Sequence, residues 1–225
     1  MSKETILLVI KFKIGGSLRF LSHAETLKLF QRACVRAGID MQYSRGFNPR
    51  PKLSLPLPRT VGIRSEDDLL CLRVNRDPNG PPVADYQAGI KADLAGRLPS
   101  DCELLSVEVA EKKDSFQPTS ATYILSVTPD FIDGGVKSRI ERLMETDTCN
   151  LQRRMNPKNP KVKNVNVRPF LKSIEINDKE IIVECEISPT GTIRVEEILK
   201  LMELDTEMLT APIRRTNVQW QVGGS

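Results

Sequence analysis

Strand-like and helix-like segments follow one another in the same order in both halves of this 225-residue chain. In the first half, apolar patterns predict strands at 5–13, 52–57, 69–74 and 102–110, with helices at 22–37 and 82–98. In the second half they predict strands at 123–127, 165–176, 180–187 and 213–220, with helices at 131–144 and 195–202. Each half therefore has the order βαββαβ, which predicts an α+β protein of two ferredoxin-like units whose antiparallel sheets are either separate or joined.

A polar segment at 111–120 separates the two halves. We therefore predict one domain at 1–115, which carries a basic helix and a GFNPRPK loop, and a second at 116–225, which carries a basic hairpin loop. Each domain is long enough to bury a core of its own.

The longest apolar run, Ile6–Ile10, is far too short to cross a bilayer, and the N-terminus lacks the long apolar stretch of a secretory signal. These features predict a cytoplasmic protein with no membrane partner. The five cysteines are odd in number, lie more than thirty residues apart, and mostly have apolar neighbours. We interpret them as buried thiols rather than disulfides or a metal cluster.

The single histidine, His23, excludes every site that needs two imidazoles, such as a two-histidine zinc site. The chain has no GxSxG turn, no phosphate-binding glycine loop, and no closely spaced cysteine motif for an iron–sulfur cluster. The sequence therefore predicts no bound metal or cofactor and no complete catalytic site, so we expect a protein that is not itself an enzyme.

Positive charge is concentrated at the start of the chain. The first sixty residues hold eleven lysines and arginines against three acidic residues. Lys28, Arg32 and Arg36 recur every four residues on the first predicted helix, away from its apolar side. Such a row fits the phosphates of RNA, although an ordinary solvated helix face has the same pattern.

The loop after this helix combines cations with an aromatic ring. Arg45, Arg50 and Lys52 surround Phe47, together with a glycine and two prolines. Phe47 offers a stacking face for an unpaired base while the arginines hold the RNA backbone or base edges. In the alternative interpretation Phe47 plugs the core and the prolines stiffen a turn.

A second basic segment, 148–174, contains seven cations and no acidic residue. Its asparagines and prolines predict a flexible loop, which is either an electrostatic RNA clamp or a solvated hairpin tip. The candidate RNA-binding residues of this segment are Arg153, Arg154, Lys161 and Lys163.

Several motifs resemble the bacterial radical-SAM-associated domain of unknown function, in its stand-alone form. They cover nearly the whole chain. The first is 20–23, which contains Ser22 and His23 and is followed by Glu25, and the others are 44–52 with Gly46, Asn48 and Pro49; 57–65; 165–169 with Arg168; and 214–216 with Arg215. This sequence departs from the family pattern at Arg50, where the family usually has His, and at Glu25 and Asn166, where it usually has Asp. The resemblance implies a partnership with a radical-SAM protein supplied as a separate chain, and it supplies no reaction.

Three functions remain open at this point. The first is an accessory module that binds RNA, either tRNA or rRNA, and works with a separate radical-SAM or RNA-processing enzyme. The second is an adaptor whose basic faces dock an acidic partner protein. The third is a hydrolase or transferase centred on His23, which requires a pocket lined by His23, Glu25 and Asn48.

Overall fold

The computed structural model describes residues 3–156, 159–177 and 179–224. The chain forms a mixed α+β protein that divides into two compact units, Met1–Gln117 with Trp220–Ser225, and Pro118–Gln219. Its strands are β1 Glu4–Ile14, β2 Leu53–Ser54, β3 Arg64–Arg76, β4 Cys102–Ala110, β5 Asp114–Ser126, β6 Asn150–Asn156, β7 Asn159–Asn166, β8 Leu171–Ile176, β9 Glu180–Ser188, β10 Gly191–Thr192 and β11 Arg214–Gly224. Its α-helices are α1 His23–Arg36, α2 Val83–Ala95, α3 Pro129–Phe131, α4 Lys137–Glu145 and α5 Val195–Leu201.

In the first unit, β1, β2, β3 and β4 lie side by side in the order β2-β3-β1-β4. Each neighbouring pair is antiparallel, with Leu8 opposite Leu72 and Leu53 also opposite Leu72. The helices α1 and α2 come between β1 and β2 and between β3 and β4, as the sequence predicts. This is the element order of a split βαβ unit.

Side-chain alternation gives the first sheet two different faces. Leu8 and Leu72 pack against Phe30 of α1 and Leu94 of α2 in the main core. On the other face, residues of β1 and β3 form a smaller cluster with Phe116. The helices therefore cover one face of the first sheet, and a separate group of side chains packs on the opposite face.

In the second unit the sheet order is β8-β9-β5-β11, and β10 also pairs with β9. The pairs β5–β9 and β8–β9 are antiparallel, while β6 and β7 form a separate two-stranded sheet. Ile140 of α4 and Ile198 of α5 are buried, as are Leu125, Ile181 and Val183 of the sheet.

The predicted helix at 131–144 is wrong as one continuous element. A π-helical turn over Ile132–Val136 separates α3 from α4. Gly135 lies in this turn with φ of +86°, a backbone conformation that favours glycine. The helix therefore restarts at Lys137.

Two extended segments also differ from the prediction. The strand predicted at 165–176 is interrupted, because a 3₁₀ turn over Arg168–Phe170 separates β7 from β8. Pro169 lies in this turn, and proline has no N–H to donate to a strand ladder. The polar linker predicted at 111–120 is largely strand, since β5 begins at Asp114, so the predicted domain boundary falls inside β5.

Three of the five cysteines, Cys34, Cys102 and Cys185, are buried as predicted. Burial raises the pKa of each of these thiols to about 12. Cys71 and Cys149 are only partly buried, so the buried-thiol prediction is wrong for these two. None of the helices in the described ranges is both long enough and apolar enough to cross a membrane.

Candidate nucleic-acid interface

A capping box fixes where α1 begins. The backbone N–H of Glu25 donates to Ser22 Oγ at 3.3 Å, while the backbone N–H and hydroxyl of Ser22 donate to the Glu25 carboxylate at 2.8 and 2.6 Å. These hydrogen bonds from Ser22 hold the pKa of Glu25 below its ordinary value. The helix therefore starts at His23 with a defined register.

This register turns the predicted basic row outward. Phe30 and Cys34 are fully buried in the core, whereas Lys28, Arg32 and Arg36 are exposed. The three cations are one turn apart, so their side chains lie above one another along the helix. The structure thus brings these three predicted residues together.

The three cations line a groove of about 710 Å³ beside α1, which we call the basic groove. Arg97, in the segment after α2, also lines the groove and adds a fourth exposed cation. The apolar part of the lining is Leu18, Leu21, Leu29, Ala33, Leu98 and Pro99. Sequence reasoning missed Arg97, because no local pattern indicates that the end of α2 lies beside α1.

The basic groove has a strong excess of positive charge. Its four cations form no salt bridge with any carboxylate in the described part of the chain. Glu25 is its single acidic lining residue, and its carboxylate accepts the hydrogen bonds of the capping box. The groove is therefore suited to a polyanion, whose charges these cations can neutralise.

The loop at 45–52 is held at its base. The backbone N–H of Ser44 donates to Arg50 O at 2.8 Å, and the backbone N–H of Arg50 donates to Ser44 Oγ at 2.9 Å. Gly46 has φ of +137°, which favours glycine at this position. Phe47 is fully exposed at the tip, so the alternative in which it plugs the core is wrong.

The other predicted residues of this loop are also exposed. Arg45, Asn48, Pro49 and Arg50 all point away from the core. Lys52 donates to Gln42 Oε1 at 3.3 Å and remains exposed. The loop thus presents three cations around one ring, as the RNA-binding hypothesis requires.

Arg153 of the second basic segment has a structural role that the sequence did not reveal. Its guanidinium donates to both carboxylate oxygens of Glu197, at 2.7 and 2.6 Å, and to Thr192 O at 3.0 Å. The side chains of Arg153 and Glu197 are only 10% and 9% exposed. Arg153 therefore ties β6 to α5, and we remove it from the candidate RNA contacts.

The part of this segment from Asn150 to Asn166 contains the paired strands β6 and β7, while residues 157 and 158 of the predicted loop lie outside the described residues. β6 and β7 pair with Arg153 opposite Lys163 and Arg154 opposite Val162. Arg154 and Lys163 are exposed, as a surface contact requires. The side chain of Lys161 lies outside the described part of the structure.

Two motif arginines in the second half are held by the protein itself. Arg168 donates to Leu171 O and to Met144 O, each at 2.8 Å. Asn166 Oδ1 accepts the backbone N–H groups of Cys149 at 2.8 Å and Arg168 at 3.2 Å. Arg215 is only 2% exposed. The positions of these residues indicate a structural role for the motifs at 165–169 and 214–216.

The residues of the hydrolase or transferase hypothesis do not share a described cavity. His23 is half-buried, and its Nδ1 atom is buried without a hydrogen-bond partner in the described residues. Asn48 is exposed on the loop tip, and neither described cavity of this unit has His23 or Asn48 in its lining. Among the described residues, no three His, Cys, Asp or Glu side chains gather to hold a metal ion.

Comparison with known proteins gives a family but no activity. No curated protein matches the chain. A solved structure similar to it is the small subunit of acetolactate synthase from Thermotoga maritima, with 9% sequence identity, 99% coverage of each chain and a TM-score of 0.27. This similarity is too low to support an argument. A family model described as an uncharacterized protein conserved in bacteria, DUF2344, matches residues 8–202, and the chain belongs to this family.

Proposed function

We propose that this protein is an accessory module that binds RNA, either tRNA or rRNA, and presents it to a separate enzyme. The observation that carries the proposal is the basic groove, where Lys28, Arg32, Arg36 and Arg97 are exposed without a salt bridge among the described residues. Polyanion binding is the function that best accounts for such a cluster, because its like charges repel one another until phosphates neutralise them.

The separate enzyme is proposed to be a radical-SAM or RNA-processing protein of the bacterial cytoplasm. This step rests on the resemblance of the motif around Gly46, Asn48 and Pro49 to the radical-SAM-associated domain. Many radical-SAM enzymes modify RNA, so a basic companion module that holds the RNA fits this chemistry by analogy. Arg154 and Lys163 are further proposed contacts in the second unit.

For the fold, we propose that each of the two compact units is ferredoxin-like. The strand order β2-β3-β1-β4 in the first unit supports this assignment, since it places the strand after α1 next to β3 rather than next to β1. The order β8-β9-β5-β11 gives the same support in the second unit.

The basic groove makes a quantitative prediction about salt. Four neutralised phosphates give a slope of about −3.6 for the logarithm of affinity against the logarithm of salt concentration on a duplex. Affinity should therefore fall about 150-fold between 50 and 200 mM salt. Removing Lys28, Arg32 and Arg36 should make this slope shallower by about 2.7, while Arg97 and the other proposed contacts account for the slope that remains.

The experiment is fluorescence anisotropy with bulk tRNA and a DNA duplex across a salt series. The test variant carries Lys28→Glu, Arg32→Glu and Arg36→Glu. The control carries Lys137→Glu, Lys179→Glu and Lys200→Glu, which changes the net charge equally at three exposed lysines outside the groove. We expect wild type and control to bind tRNA in preference to DNA, and the test variant to lose most of its affinity and salt dependence.

Two results would contradict the proposal. One is a test variant that binds tRNA as tightly as the control does. The other is a wild-type protein with no RNA affinity even at low salt. The second result would favour the adaptor function, in which the groove docks an acidic protein, and a pull-down should then recover a partner that the test variant fails to bind.

A further inference from the structure

A second cavity opens on the first sheet, on the face opposite the helices. We call it the sheet pocket; its volume is about 470 Å³, and its lining includes Leu7, Cys71, Arg73 and Phe116. Leu7, Cys71 and Phe116 belong to the helix-free cluster, whereas the alternate residues Leu8 and Leu72 face α1 and α2. The sheet pocket and the basic groove therefore lie on different faces of this unit.

The cationic loop at 45–52 rises from the rim of the sheet pocket. Tyr43 and Pro51 form a bridge at the base of the loop, and Pro51 and Lys52 also line the pocket. Tyr43 is 44% exposed and Phe47 is fully exposed, while Phe116 is half-buried in the pocket lining. One aromatic ring thus forms part of the pocket wall, a second stands at the base of the loop, and a third stands on the loop itself.

Polar groups at the pocket are available to a ligand. Arg73 donates to Lys112 O through Nη1 at 2.7 Å, and its Nη2 has no recorded acceptor among the described residues. The hydroxyl of Ser54 is exposed, and the ammonium of Lys52 has a single weak hydrogen bond, to Gln42 at 3.3 Å. Two cations and a hydroxyl therefore surround a partly apolar cavity, together with one carboxylate, that of Asp114, which accepts the backbone N–H of Glu111 at 3.0 Å.

From this arrangement we infer that the sheet pocket receives the base of an unpaired nucleotide in the same RNA whose phosphates lie in the basic groove. This inference rests on the proposed function. The volume lies in the range of pockets that bind small ligands. An aromatic wall stacks on a base, Arg73 and Ser54 hydrogen-bond its edge, and Lys52 with the loop arginines neutralises the flanking phosphates. A fully paired helix keeps its bases stacked inside, so only an unpaired segment can enter.

The RNA that binds best should therefore be a structured RNA with a single-stranded tail or bulge. The probes are a blunt RNA duplex of about 16 base pairs and the same duplex with about five unpaired nucleotides, one of them 2-aminopurine. Wild-type protein should bind the tailed RNA about tenfold more tightly, and stacking should quench the 2-aminopurine fluorescence.

Two variants test the sheet pocket separately from the basic groove. Ser54→Trp fills the pocket from an exposed position on β2, and Phe47→Ala removes the fully exposed ring of the loop at 45–52, two of whose residues, Pro51 and Lys52, line the pocket. Phe20→Ala is the matched control, because Phe20 is an exposed ring beside Arg19 that lines neither cavity. A circular-dichroism melt confirms that Ser54→Trp folds, and Ser54→Leu, a smaller substitution at the same exposed position, replaces it if it does not.

We expect both variants to bind the blunt duplex as tightly as wild type does. Both should lose the preference for the tailed RNA and the quenching of 2-aminopurine fluorescence, whereas Phe20→Ala should keep both properties. A pocket variant that retains both would overturn the inference, as would a wild-type protein that binds the two RNAs equally. In both of these cases the proposed function stands, provided that the triple groove variant still loses duplex binding. If wild type binds neither RNA, both ideas fail together.

Discussion

Replacing Arg153 by alanine should destabilise the protein strongly without weakening RNA binding. The substitution removes two hydrogen bonds of 2.6 and 2.7 Å to Glu197, whose side chain is 9% exposed. Breaking a buried ion pair by removing one partner costs about 3–5 kcal/mol, because a buried charge is left without compensation. For a chain of this length that corresponds to a fall in Tm of about 6–20 °C.

The neighbouring residue supplies the control for this experiment. Arg154 is exposed on the same strand, so Arg154→Ala should change the free energy of unfolding by no more than about 0.5 kcal/mol. Unfolding in urea and anisotropy with tRNA should be measured for both variants. Replacing Arg153 and Glu197 together by Met and Leu should restore much of the stability, since neither charge then remains buried. Equal stability of the two single variants would refute the structural role of Arg153.

Three further predictions concern the first unit. Arg59→Met removes the guanidinium that lies 2.7 Å from the almost fully buried Asp68 carboxylate, and breaking this buried ion pair should cost about 3–5 kcal/mol in urea unfolding. A loss below about 1 kcal/mol would contradict this. Ser22→Ala removes the cap of α1 and should cost about 1 kcal/mol by the same assay, whereas a neutral result would show that the cap is dispensable. The pKa of the Glu25 carboxylate is lowered, so its contribution to stability is present above its ordinary pKa of 4.5 and is lost as the pH falls through the lower pKa of the folded state. Glu25→Gln should remove this part of the dependence of stability on acid pH. A variant whose stability depends on pH as that of wild type does would count against this prediction.

The sequence predicts best where local chemistry alone decides the structure. The helix predicted at 22–37 is observed at His23–Arg36, where Ser22 and Glu25 form a capping box at its start and Gly38, with φ of +68°, follows its end. Prediction from sequence fails where pairing with a distant strand determines the secondary structure. The polar residues from Asp114 onward resemble a linker, yet they form strand β5 because strand pairing supplies hydrogen bonds that the local sequence does not reveal.

In the candidate site, too, features set by one local element are predicted and features set by distant contacts are not. Helical spacing alone places Lys28, Arg32 and Arg36 in one row, because they lie on one element. Arg97 lies more than sixty residues further along the chain, and only the packing of the two helices brings it to the same groove. The sequence alone does not show which of Arg153 and Arg154 is buried. The alternation of side chains along β6, together with the position of Glu197, determines that it is Arg153.

The alternation of side chains along β3 limits how this protein can change in evolution. Cys71 and Arg73 line the sheet pocket, while Leu70, Leu72 and Val74 lie in the core. One inserted or deleted residue in β3 would exchange the two sets, placing a guanidinium in the core and leucines in the pocket. Members of the family should therefore differ in length at the loop tip around Phe47 and keep the length of β3 constant.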